Sequence, residues 1–187
     1  MLRTHSVPQS FRSVSICILQ LLTDANCGIY QGNKLKVKEG AVIKSYLSNS
    51  TVQTENIAAE IAPLLKAGDV IAYKGGMGVG KTAFTRGLAK GLGVDERLVS
   101  SPTFALVHEY IGSGLTLYHF DMYRITSCED LFSTGFYEYL EAKAVVAVEW
   151  SENIEADLPD NVITISLSTV TDDENSRIIT IEGDDRF

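Results

Sequence analysis

Eight residues, Gly75-Gly76-Met77-Gly78-Val79-Gly80-Lys81-Thr82, fit the pattern G-x-x-x-x-G-K-[ST], whose chemistry is the wrapping of a polyphosphate. Backbone N–H groups can surround phosphate oxygens only where the chain approaches closely and takes φ values that side chains resist. Gly75, Gly78 and Gly80 permit both. Lys81 offers a point charge to β and γ oxygens, and the Thr82 hydroxyl suits Mg²⁺. A glycine-rich turn that binds nothing is the plain alternative, and the flanks argue against it. Val70-Ile71-Ala72-Tyr73 is a short β-type run before the loop, and AFTRGLAKGLG (residues 83–93) reads as a helix after it. That helix turns the positive end of its dipole toward the phosphates.

A phosphate loop also needs a carboxylate on the metal side, delivered by the end of a neighbouring buried strand. Asp121 follows LTLYHF (115–120) and Glu149 follows AVVAV (144–148), so each surfaces at the strand edge beside the phosphates. Either acid alone also reads as an ordinary exposed residue at a strand end; the two together are harder to dismiss. Thr103, in the polar turn Ser100-Ser101-Pro102-Thr103, is within reach of a γ-phosphate as a switch, or else simply starts a strand. Trp150 reads first as a packing residue and second as a nucleotide stacker. Arg124 reads equally as a charge-stabilising arginine or partner contact and as one half of a surface ion pair.

The elements that hold these residues follow from hydrophobic period. Ile57, Ala58, Ile61, Leu64 and Leu65 keep helical spacing after a Ser50 or Thr51 cap, with Pro63 expected to kink or shorten that helix. The helix after the loop is expected to stop near Gly91 or Gly93. Residues 104–111 and 115–120 flank Gly112-Ser113-Gly114 as a hairpin, so the sheet is not wholly parallel. A helical stretch over 128–139 is interrupted at Gly135, and AVVAV has the continuous apolarity of a strand buried on both faces. Residues 162–167 and 178–181 read as the last two strands, with a polar turn over 171–176. Together these describe an α/β P-loop NTPase fold, three layers around a mixed, mostly parallel sheet.

A chain of 187 residues suits one such domain with an extension. We take residues 1–44 as an N-terminal extension, disordered or a misassigned upstream start, and 45–187 as the domain. Val14–Leu22 is too short to span a bilayer, and the segment fits a secretory signal poorly and a transit peptide only in part. Net charge is −8, but residues 1–45 carry +4 and residues 46–187 carry −12. An acidic domain is repelled by nucleic-acid backbones, which argues against strong autonomous tRNA or DNA binding and for a protein partner. The three cysteines, Cys17, Cys27 and Cys128, show no paired spacing, as expected of reduced thiols in a cytoplasmic protein.

Four motifs in order, GGMGVGKT (75–82), SPTFALVHEY (101–110), HFDMYR (119–124) and EW (149–150), resemble the TsaE (YjeE) ATPases of bacterial tRNA threonylcarbamoyladenosine synthesis. The resemblance covers roughly residues 45–167. It implies a small Mg²⁺-dependent ATPase with low intrinsic activity that works with the TsaB–TsaD pair and meets tRNA only through that complex, away from any membrane. ATP hydrolysis would reset the pair, which transfers a threonylcarbamoyl group to the adenosine next to the anticodon. By position, the resemblance implies nucleotide contacts at Thr51, Gly75, Gly76, Met77, Gly78, Val79, Gly80, Lys81 and Thr82. It implies metal contacts at Thr82 and Glu149, and hydrolysis at Asp121 with Thr103 in the switch-like loop. Gly76 stands where the family usually has Asp, which adds backbone freedom worth about 0.5–1 kcal/mol and removes a carboxylate from the loop.

Two other classes fit less well. A small-molecule P-loop kinase needs an arginine-bearing lid, whereas only Arg86, Arg97 and Arg124 lie between Lys81 and Glu149. A GTP switch needs N-K-x-D, and Asn33-Lys34 precedes the loop and lacks the Asp.

Overall fold

Two strands at the centre of the molecule, β2 (Val70–Lys74) and β5 (Val145–Glu149), are buried almost throughout. Period-two alternation explains why both are continuously apolar. Ile71, Tyr73, Val145 and Ala147 enter the core on one face of the sheet, while Val70, Val146 and Val148 enter the core on the other. The computed structural model describes residues 41–187. Within it β1 (Val42–Ser48), β3 (Val107–Ile111), β4 (Thr116–Asp121), β6 (Ile163–Val170) and β7 (Asp173–Gly183) complete a seven-stranded sheet ordered β1-β7-β6-β2-β5-β4-β3. The pairs β6/β2, β2/β5 and β5/β4 are parallel, and the outer pairs are antiparallel. Five of the seven strands therefore run in one direction, and β3 and β7 oppose them.

Helices α1 (Thr51–Ile61) and α2 (Lys81–Gly91) cover one face; α3 (Cys128–Ser133) and α4 (Phe136–Glu141) cover the other. This is the expected three-layer α/β fold. Ser50 caps α1 by accepting from the Gln53 amide, and Gln53 Oε1 accepts from the Asn49 amide in return. Pro63 lies in a 3-10 turn, Ala62–Leu64, that takes over where α1 stops. The shortening leaves Leu65 in the core and Leu64 partly exposed.

Several boundaries differ from the sequence reading, among them the end of β6, which runs on to Val170 rather than stopping at 167. Val42 to Lys44, assigned to the extension, are the first residues of β1, which pairs with β7; residues 1–40, with Cys17 and Cys27, lie outside the described residues. β3 begins at Val107 rather than Phe104, because the amides of Ala105 and Leu106 both bond to the Pro102 carbonyl and hold residues 103–106 in a turn. β7 is eleven residues long, and the connection from β6 narrows to Thr171-Asp172, with Asp172 at φ 67. Its polar first turn hid it from hydrophobic pattern.

The contact between α1 and α2 depends on missing side chains. A Cβ at Gly87 would lie 2.1 Å from the Glu55 carbonyl oxygen and 2.7 Å from Ala58 Cβ. Gly87→Ala must push the helices apart and is expected to destabilise the fold by about 1–3 kcal/mol. A drop in urea midpoint at unchanged slope checks it. No helix among the described residues is long and apolar enough to cross a membrane.

Candidate nucleotide-binding site

The loop is shaped by what lies behind it. Gly75 takes φ 133, and a Cβ there would sit 2.3 Å from the Leu167 carbonyl oxygen on β6. Only glycine can leave β2 at that angle beside that strand. Gly76 is different: a Cβ there meets nothing within 4 Å, so packing does not demand glycine at this position. Gly80 leads into α2, and Lys81 and Thr82 are its first two residues.

Lys81 is only 5% exposed. Its ammonium donates to the carbonyls of Gly75 (2.9 Å) and Gly76 (2.8 Å) and lies 5.0 Å over the Trp150 ring. Its hydrogen-bond partners are dipoles rather than a carboxylate, so the positive charge stays available to an anion at the loop. Trp150 takes φ 57, uncommon for an aromatic, and its ring also meets Tyr123 at 5.0 Å. It packs against the core under the α3–α4 layer, as a packing residue should, while bordering the lysine.

The acids arrive by strand register. Asp121 on β4 pairs with Glu149 on β5, and both share strand parity with the core positions Leu117 and Ala147, on the face covered by α2. Thr82 Oγ1 donates to Glu149 Oε1 at 2.8 Å, and His119 Nε2 lies 3.0 Å from the same oxygen. Burial pushes the Glu149 carboxyl up, but the hydrogen bonds from His119 and Thr82 and the Lys81 charge outweigh it and hold the group below the usual range. Asp121 accepts from Thr103 Oγ1 (2.6 Å) and from the Tyr123 amide (2.9 Å). The turn that removes Phe104 from β3 thus places Thr103 on the acid, and leaves Phe104 90% exposed. Arg124 lies 5.2 Å over the Phe104 ring.

Beside the loop opens a cavity of about 470 Å³, lined among others by Asn49, Thr51, Gly78, Val79, Gly80 and Arg177. Thr51 and three of the loop residues read from sequence therefore share one wall, whereas Met77 is exposed at the loop's tip. Sequence reasoning gave no role to Asn49, His119 or Arg177. Arg177 Nε donates to the Val79 carbonyl at 3.0 Å, tying β7 to the loop. No local pattern foretells a contact across that separation. His119 did leave a signal: it is two residues before Asp121 on one strand, so the two share a face.

The donor set suits a hard cation. Thr82 gives its proton to Glu149, which leaves hydroxyl lone pairs beside carboxylate oxygens, the oxygen-only ligands that Mg²⁺ takes.

The family model described as "Threonylcarbamoyl adenosine biosynthesis protein TsaE" matches residues 48–179. The TsaE protein of Treponema pallidum is 40% identical over 135 residues, covering 72% of this chain and 97% of that protein. The TsaE protein of Bacillus subtilis is 42% identical over 132 residues, covering 70% of this chain and 81% of that one. The crystal structure of Bacillus subtilis YdiB superposes with a TM-score of 0.63 at 32% identity, over 78% of this chain and 88% of that one. With a phosphate loop at the end of β2 and a family match running from β1 into β7, this chain belongs to the TsaE family of tRNA threonylcarbamoyladenosine biosynthesis.

Proposed function

We propose that the chain is a Mg²⁺-dependent ATPase of the threonylcarbamoyladenosine pathway, cytoplasmic, that resets the TsaB–TsaD pair between turnovers. One observation carries the reading: the Thr82 hydroxyl and the Glu149 carboxylate, 67 residues apart in sequence, meet at 2.8 Å beside Lys81. Lys81 and the loop amides hold the β and γ oxygens of ATP, and the cavity by Thr51 and Arg177 takes the nucleoside. When bound, Mg²⁺ neutralises charge on those oxygens; Thr82 and Glu149 are the residues that hold it. Asp121, fixed by Thr103 and the Tyr123 amide, orients the attacking water and takes its proton. The water oxygen bonds to the γ-phosphorus, the bond to the bridging β–γ oxygen breaks, and ADP and inorganic phosphate leave.

Partner dependence is supported by where the acid's partner sits. Thr103 stands next to the exposed Phe104, so a protein docking on that turn would also move the group that orients Asp121. Phosphate release tests the proposal. The chain alone is expected to turn over slowly, and the TsaB–TsaD pair to raise the rate by about tenfold or more, as completion of such sites in trans does. Transfer of the phosphoryl group to a metabolite instead of water would point to a kinase and overturn the reading.

A further inference from the structure

Among the described residues, one buried side-chain nitrogen or oxygen has no hydrogen-bond partner: Nδ1 of His119. The His119 side chain is completely buried, on β4 opposite Ala147 of β5. A buried polar atom without a partner is destabilising, and short of the strand-end acids Asp121 and Glu149 the positions of the same parity, Leu117, Val145 and Ala147, are apolar core. An apolar residue at 119 would fit that setting without the penalty. What the histidine adds is Nε2, 3.0 Å from Glu149 Oε1. An ionised carboxylate only accepts, so Nε2 carries the hydrogen and donates it.

Glu149 Oε1 also accepts from Thr82 Oγ1. Two donors converge on one oxygen, one from the sheet and one from the start of α2. Together they fix the torsion of the carboxylate and leave Oε2 committed to neither.

We infer that His119 is a positioning residue for the metal side of the site: its Nε2–H holds Glu149 against Thr82 so that the acid meets Mg²⁺-nucleotide already oriented. The inference rests on the Mg²⁺-dependent reading above. Groups that orient a metal-side ligand through one hydrogen bond change metal affinity by about 10- to 100-fold when removed. A residue kept only for packing changes stability and leaves metal dependence alone.

The test is a titration of a fluorescent ATP analogue onto the full chain at a series of Mg²⁺ concentrations, with a urea midpoint for each variant. In His119→Leu the Mg²⁺ needed for half-maximal enhancement of binding is expected to rise about tenfold or more. Mg²⁺-free nucleotide binding should stay at the wild-type level, and the urea midpoint should hold or rise as the unpaired Nδ1 disappears. In His119→Gln the amide nitrogen reaches the place of Nε2 and should restore the Mg²⁺ dependence. His119→Asn is too short to reach and should not. An identical Mg²⁺ dependence in wild type and His119→Leu overturns the inference and leaves the ATPase reading standing. If the leucine variant does not fold, equal behaviour of the Gln and Asn variants overturns it instead. A wild-type protein that binds no nucleotide with Mg²⁺ brings down the ATPase reading and this inference together.

Discussion

Lys81→Ala is expected to lower ATP affinity by about a hundredfold or more, which makes hydrolysis undetectable at ordinary nucleotide concentrations. The charge it removes is held by two main-chain carbonyls and sits almost wholly out of water, where an ionic hydrogen bond to phosphate is worth about 3 kcal/mol. The fold should not suffer. The ammonium supports the loop rather than the core, and removing a desolvated cation offsets the loss of its two hydrogen bonds. Calorimetry with ATP and Mg²⁺, alongside a thermal melt, separates the two effects. Binding lost at an unchanged melting temperature is the expected pair of results. Wild-type heat of binding in the variant would mean that the loop does not hold the triphosphate through this lysine.

Glu149→Gln should separate hydrolysis from binding. The amide oxygen can still accept from Thr82 and His119, so the local packing persists, but the negative charge beside Thr82 is gone. Charge placed for the transition state matters more there than in the ground state. The hydrolysis rate is expected to fall about a hundredfold, with a much smaller change in nucleotide affinity. Single-turnover phosphate release and a nucleotide titration on the same preparation measure both. Asp121→Asn should act in the same direction, because in the proposed mechanism that carboxylate accepts the attacking water's proton. Near-normal turnover in either variant would show that the wrong acid has been assigned.

Much of this site is legible in the sequence. The phosphate loop is a local object: its glycines, lysine and threonine are consecutive, and the β-type run and helix on either side follow from period alone. The same holds for the β3–β4 hairpin around Gly112-Ser113-Gly114 and for the break between α3 and α4 at Gly135, which takes φ 71. Asp121 and Glu149 were readable as acids at the ends of buried runs. The residues that escaped are those whose role is set by contact across the chain. His119 is one of three histidines with no shared spacing, and its contact follows only from the pairing of β4 with β5. Arg177 lies in a polar stretch with no period, yet it reaches a carbonyl of the phosphate loop. β1 is a half-exposed edge strand whose partner, β7, lies at the far end of the sequence.

From sequence alone came the chemistry, because residue type, spacing and hydrophobic period are local properties. A phosphate loop between strand and helix, two strand-end acids and an acidic α/β domain all follow from neighbours in the chain. Tertiary structure alone decided which groups touch: the register that sets Asp121 opposite Glu149, the β6 carbonyl that makes glycine obligatory at 75, and the histidine bonded to Glu149. The physical reason is that a one-residue slip in strand pairing leaves every local pattern unchanged, yet turns each side chain to the opposite face.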